Sequence, residues 1–437
     1  MSSTHVHVPS EVALAPATAS TVTSIANSLT SLSAWFLKKP LFLTDEALLL
    51  SHFGYHEQDI ASVVAVFGPQ DQVQITISAI VRAINAAPFT ELGRLLAAKE
   101  LEHAAAARNS VIDYVLQNPD ITEVPIDAPL IVLGLPGTGS HLLHNLLACD
   151  PNARAFRLFE VNPELGEKLI PPPSEDEYAT HSNVDHCREI LERTDTLFPG
   201  YLSGLLQGEL DLADADCILQ HQGLPPSHIP HAAASLRAQT LLADWEPFDH
   251  VVLHGGAAHL AQLHALLSVF PDARVVVVNR ALEEVVPATT RRLARLCGTK
   301  VQPNAVHRHE FGKEVLEDVV GVMKDARDFR LRIGANFVRP LRNAGLQEEW
   351  KGYAFHPAQV MDVSYEQLVK DPVGAVRKIY AHFEVGYSDE FEEAMEVYLE
   401  GNPTKALAED LSEVKEMFGF TDEGIVKANE DATLREE

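Results

Sequence analysis

The 437-residue sequence holds only four cysteines, Cys149, Cys187, Cys217 and Cys297. They are too widely spaced for a disulfide framework and lack the paired spacing of a metal site. Each is expected as a buried thiol, and a reducing, cytoplasmic location is the default expectation. No stretch reaches the ~18 apolar residues of a membrane span. Residues 1–29 are rich in Ser, Thr and Ala, with neither a basic start nor a continuous apolar core, and read as a flexible tail rather than a signal peptide. Basic residues are scarce: 34 Lys and Arg stand against 62 Asp and Glu, a formal charge of −28. Such a surface disfavours nucleic acid and anionic membranes and does nothing to recruit a polyanion. A small-molecule ligand is the expectation that remains, with solubility as the plain alternative reason for the charge.

What is present is concentrated around residues 128–151. A short apolar run, 130–133, ends in the turn Leu135-Pro-Gly-Thr-Gly139, which opens an apolar-periodic segment from Ser140 to Ala148. Strand, glycine turn and helix together aim backbone N–H groups and the positive helix end at an anion. Gly137, Thr138, Gly139 and Ser140 are the donors expected there. The turn carries no Lys or Arg, and no Gly-Lys-Ser/Thr follows, so it is not the phosphate loop of nucleotide hydrolases.

Strand and helix patterns alternate from residue 130 onward, with strands expected at 130–133, 251–253, 275–279 and 360–363. That order predicts a three-layer α/β fold, a P-loop-like parallel sheet with helices on both faces. The sequence before it reads as a helical cap, with helices expected over 32–43, 47–53, 59–67, 74–87 and 89–118. The organisation expected is a flexible tail (1–30), an N-terminal helical region (31–125), an α/β domain (126–409) and a loosely held acidic tail (410–437). A long insertion, 156–249, includes Pro171-Pro-Pro173 and helical patches near 185–194 and 232–243. Ligands of open α/β sheets sit at strand C-termini, so the candidate residues converge on one cleft.

Leu135, Pro136, Thr138 to Ser140 and Leu142 to Leu147 resemble the loop motif of the sulfotransferase superfamily, in the branch common in bacteria and lower eukaryotes. Further segments agree in order from about residue 50 to 420: Phe53-Gly54, residues 259–274, Val275 to Arg280 with the helix after it, and residues 361–372. The resemblance implies the fold above and the donor 3′-phosphoadenosine-5′-phosphosulfate (PAPS). Carried over residue by residue, it is one-sided. The basic residue of the loop falls on Gly137, and the hydroxyl residue closing it falls on His141. The Lys-Ser-Pro element falls near Gly255, Gly256 and Ala257, with His254 just before. The 3′-phosphate Arg is present as Arg280, but its companion Ser falls on Ala288, beside Thr289 and Thr290. The family's catalytic His falls on Gln207, and Lys405 is the lone basic residue of the closing segment at 402–410.

These substitutions all concern one anion, and sulfuryl transfer depends on charge stabilisation; one lost donor costs ~3–4 kcal/mol. Three readings follow. The first is a repurposed small-metabolite enzyme without PAPS, using acid/base chemistry (isomerisation, cyclisation, elimination or hydrolysis) with His141 and His254 as catalytic residues. The second is a divergent PAPS sulfotransferase, in which Gly137, Thr138, Gly139, Ser140, Arg280 and Thr289, helped by His254, hold the donor. The third is a non-catalytic binding relative. Arg280 has a plain alternative role, pairing with Glu283 or Glu284 to hold the loop. Arg291, Arg292 and Arg295 form a residual basic patch able to bind a smaller anion, with Arg154 and Arg157 as contributors. His144 is read as structural, and the acidic residues Glu209, Asp211, Asp214 and Asp216 as a helix start. No metal site is expected, and His307-Arg-His309-Glu310 is read as solvated loop.

Overall fold

The computed structural model describes residues 70–118, 126–161, 182–198, 212, 249–302, 306–334, 356–402 and 410–434. In chain order these form α1 (Gln70–Ala86), α2 (Glu91–Gln117), β1 (Leu130–Gly134), α3 (Ser140–Leu147), β2 (Ala153–Ala155), α4 (Leu158–Val161) and α5 (Ser182–Leu197). There follow β3 (His250–Gly255), α6 (Ala257–Ala261), α7 (Leu263–Val269), β4 (Arg274–Asn279), α8 (Leu282–Gly298), α9 (Arg308–Gly334), β5 (Val360–Ser364), α10 (Tyr365–Lys370), α11 (Pro372–Phe383) and α12 (Asp389–Gly401). The helices α13 (Ser412–Phe418) and α14 (Asp422–Leu434) close the described chain. Helices expected before residue 70, the patch at 232–243 and the segments holding Gln207, Glu209, Asp211, Asp214, Asp216, Cys217 and Lys405 lie outside the described residues.

The five strands form one parallel sheet in the order β2-β3-β1-β4-β5. β1 lies between β3 and β4, with Ile131 opposite both Leu253 and Val275. Because side chains alternate across a strand, the apolar runs divide between two faces. Ile131, Leu133, Val251, Leu253, Val275 and Val277 face α7 and α9, packing on Leu263, Leu266, Leu267, Val315 and Val319. Leu130, Val132, Val252, Val276 and Val278 face the opposite layer, packing on Leu143, Leu146 and Leu147 of α3 and Val376 and Ile379 of α11. A sheet covered on both sides needs unbroken rather than alternating hydrophobic strands, which is why runs such as Leu-Ile-Val-Leu were legible. β2 was not expected: its three residues, Ala-Arg-Ala, carry no strand-like pattern.

The N-terminal cap is tied down by specific contacts. Arg94 donates from Nη1 to the carbonyls of Ile84 (2.6 Å) and Asn85 (3.0 Å), and from Nη2 to that of Ala87 (3.3 Å). A buried guanidinium thus meets the carbonyls that a helix end leaves without partners. Thr90 N–H donates to the Lys300 carbonyl at 2.8 Å, docking the cap at the far end of α8.

Residues 410–434, expected as part of a loosely held tail, form two packed helices. Leu411, Val414 and Phe418 bury themselves against Ala288 of α8, and Ile425 joins the core beside Val315. Their acidic composition disguised an amphipathic spacing whose apolar positions are few but buried. Two further expectations change. Cys187 is buried as expected, but Cys149 is half-buried and Cys297 exposed. Residues 307–310 are exposed as expected, but only His307 precedes the helix, since Arg308 to Glu310 form the first turn of α9.

Behind the sheet, at the end remote from the glycine turn, Tyr380 donates its hydroxyl to Asp150 Oδ2 at 2.7 Å. His250 Nε2 lies 3.4 Å from the same hydroxyl, and all three side chains are buried. Burial pushes the His250 pKa below its ordinary value; Asp150 and Asp249 oppose this and Arg274 adds to it. The unfolded chain therefore takes up a proton near pH 6.5 that the folded chain resists. Stability should be complete above about pH 6.5 and fall as the pH drops through the lower folded value. Urea midpoints measured from about pH 7.5 to 5.5 should decline less steeply in His250→Gln than in the parent. Equal slopes would place the titration elsewhere.

Candidate functional site

β3, β1 and β4 end side by side, and the turn Leu135–Gly139 leaves the middle strand. Gly137 has φ 85° and Gly139 φ 84°, the left-handed region that favours glycine. Thr138 closes the turn, donating its N–H (3.1 Å) and its hydroxyl (2.7 Å) to the Leu135 carbonyl. Space is also restricted. A Cβ on Gly139 would come 3.1 Å from the Tyr365 ring, and one on Gly137 would come 2.7 Å from the Ala288 methyl. Gly137 and Ala288 are thus complementary: α8 packs on a turn that has no side chain at that point.

Ser140 is the first residue of α3, and its amide is among the donors that a helix start leaves without intrahelical partners. Its Oγ lies 2.9 Å from Nε2 of His254. His254, the penultimate residue of β3, pairs in register with Val132. Both side chains are buried. The exposed His141 ring stands 4.4 Å from that of His254, tilted by 40°. The buried His144 ring stacks on the same imidazole at 5.4 Å and 18°. Three imidazoles therefore run inward from the surface, with His254 in the middle. Successive turns of α3 supply His141 and His144, and the neighbouring strand supplies His254. The next glycine, Gly255, is needed because a Cβ there would sit 2.9 Å from the His259 ring.

On the other side of the turn, just after β4, Arg280 donates from Nη1 to the Gly137 carbonyl at 2.8 Å. Its Nη2 lies 3.4 Å from Glu284 Oε2, and its guanidinium carbon lies 4.0 Å from the centre of the Tyr365 ring. The expected pairing with Glu284 is present, and the hold on the loop is direct. Glu284 Oε1 faces Lys415 Nζ of α13 at 3.4 Å, and Lys415 also pairs with Asp422 at 2.9 Å.

Other expected contributors are placed less favourably. Ala288 rather than Thr289 meets the turn. Thr289 is buried, and its hydroxyl makes no hydrogen bond to a described residue. Arg154 belongs to β2 and is committed inward: its guanidinium pairs with the buried Glu160 and donates to the Ala155 carbonyl, so it is no ligand contact. Arg291, Arg292 and Arg295 are half-buried on α8; burial, with Arg295 nearby, lowers the Arg291 pKa. Among the described residues no group of three or more His, Cys, Asp or Glu side chains is arranged for a metal ion. Tyr365 and Lys415 were not anticipated. Tyr365 directly follows the last strand, where the strand-end rule could have found it. Lys415 is brought in by the C-terminal helices, which no local pattern connects to the turn.

Residues 129–389 match the model of the Sulfotransferase family. The chain shares its fold with the sulfotransferase STF9 from Mycobacterium avium (20% identity, 90% of this chain and 96% of that one, TM-score 0.66). It also shares it with the sulfotransferase STF1 from Mycobacterium tuberculosis H37Rv (21% identity, 89% and 99%, TM-score 0.64). No curated protein matches the chain. No helix among the described residues is long and apolar enough to cross a membrane.

Gly137→Ala should lower stability by about 1–2 kcal/mol for the left-handed backbone alone, with a further loss from the contact with Ala288. The double variant Gly137→Ala/Ala288→Gly should recover the contact portion and leave the backbone portion. Thermal melts of the three proteins check this; strictly additive losses would mean that the two positions do not meet.

Proposed function

The chain belongs to the sulfotransferase family, and from that premise we propose that it is a repurposed member: a small-metabolite enzyme that works by histidine acid/base chemistry without PAPS. The observation that carries the reading is the Ser140–His254 contact at 2.9 Å. In the family the hydroxyl at the position of Ser140 belongs to the donor loop; in this chain it faces an imidazole. The Ser140 hydroxyl can donate to Nε2 or accept from it, so it orients the ring in either protonation state. His254 is the proposed acid or base toward substrate. His141, exposed and in ring contact with His254, is the proposed route for proton exchange with solvent. His144 stacks behind His254 and keeps the ring from turning.

The residues present fit PAPS poorly. The loop's cation is missing at Gly137, and the Ala288 contact leaves no room for one. Arg280 gives one N–H to the Gly137 carbonyl and faces a carboxylate, Glu284, that competes for its remaining donors. A compact polyanion needs several preorganised donors. Here the loop cation is absent, Arg280 already has a carbonyl and a carboxylate beside it, and the net charge of −28 opposes the donor's approach. The substrate class proposed is a small metabolite; nucleic acid and membrane are not proposed as partners, and a cytoplasmic setting remains part of the proposal. The chemistry falls among isomerisation, cyclisation, elimination and hydrolysis, all of which one well-placed acid/base pair can serve.

A second reading, a divergent PAPS sulfotransferase, is favoured by Arg280 standing at the turn and by the amides at the start of α3. The two structural relatives, both described as sulfotransferases, lend it weight.

Incubating the protein with a metabolite extract and following masses distinguishes the two. The proposed function predicts conversion of a metabolite without PAPS and without the mass of an added sulfuryl group. His254→Gln should slow it by about 10²–10⁴-fold, and His141→Gln should slow it less and shift its pH profile. Sulfuryl addition that requires PAPS and survives His254→Gln would establish the second reading instead.

A further inference from the structure

Glu284 has an unusual position. Its two carboxylate oxygens face different cations, Oε2 toward Arg280 and Oε1 toward Lys415, each at 3.4 Å. Both separations exceed the 2.7–2.9 Å typical of a charge-assisted hydrogen bond. Each cation has firmer ties elsewhere. Arg280 donates to the Gly137 carbonyl at 2.8 Å and lies over the Tyr365 ring; Lys415 pairs with Asp422 at 2.9 Å. The guanidinium and the ammonium are therefore held in place without help from Glu284. The Glu284 side chain is 36% exposed, against 13% for Arg280 and 20% for Lys415, so it is the member of the trio most able to turn outward.

We propose that Arg280 and Lys415 form a two-cation site for the carboxylate of a small molecule, with the Glu284 side chain as its built-in competitor. A ligand carboxylate would take the same two contacts, one oxygen to each cation, as Glu284 swings toward solvent. The first turn of α8 adds a favourable dipole. Charge selects the class of ligand. With Glu284 turned away, Arg280 and Lys415 against Asp422 leave one net positive charge, suited to a monoanionic carboxylate and poorly suited to a multiply charged phosphate ester. The site adjoins the β4 side of the turn, whereas Ser140 and His254 adjoin its β3 side, so a substrate anchored here would reach across the turn to the imidazoles. The substrate assignment rests on the function proposed above; the anion site itself does not.

Benzoate is a suitable probe, followed by ligand-observed NMR on the full chain, with melting temperatures recorded for every variant. Glu284→Gln should bind benzoate about tenfold more tightly than the parent, and Glu284→Gln/Lys415→Met should lose that gain. Glu284→Asp, which retracts the carboxylate while keeping its charge, should show a smaller gain and serves if Glu284→Gln does not fold. Inorganic phosphate should gain less than benzoate. Equal benzoate affinity in the parent and the Glu284 variants would overturn the proposal, as would a gain that persists without Lys415. Binding is read without turnover, so tighter benzoate binding in a protein lacking histidine chemistry would sustain the anion site while removing the proposed function.

Discussion

The turn after β1 is the constraint on which the rest of the site depends. Gly137 takes a left-handed conformation, its missing side chain admits Ala288 of α8, and its carbonyl is held by Arg280. Those three facts support one another. A residue with a side chain would strain the backbone and push against α8. A displaced α8 would carry Glu284 away from Arg280 and loosen the C-terminal helices packed on Ala288. The turn is thus set by close packing from one side and a charged donor from the other. Its sequence differences from the family are consequently not independent. Gly137 and Ala288 are two halves of one steric arrangement.

The same turn separates two groups of side chains. Toward β3, Ser140 directs its hydroxyl to His254, with His141 and His144 on either side of the ring. Toward β4, Arg280 and Lys415 bracket a carboxylate supplied by the chain itself. Backbone geometry suited to an anion persists, while Ser140, His254 and Arg280 meet partners within the protein.

Four of the five strands and their parallel arrangement were legible because a parallel sheet buried on both faces demands continuous apolar runs, and 130–133, 251–253, 275–279 and 360–363 supply them. The helix at Ser140 was legible from the spacing of its leucines after a glycine turn. His254 was legible as a strand-end residue at a departure from the family pattern. Its contact with Ser140 was not, because it joins residues 114 apart in sequence. β2 carries no periodic signal in three residues. The C-terminal helices were misread because a run of acidic side chains hid buried positions such as Val414, Phe418 and Ile425, and with them the reach of Lys415 to Glu284. Long apolar runs and leucine spacing were readable; a three-residue strand, helices masked by acidic side chains and long-range charge pairing were not.

The claim that the donor site has been redirected is tested most directly by titrating the purified protein with adenosine 3′,5′-bisphosphate by calorimetry at low and physiological salt. The account predicts no binding up to millimolar concentration under either condition. Micromolar binding, abolished by Arg280→Ala, would contradict it and return the protein to PAPS chemistry with an unusual loop.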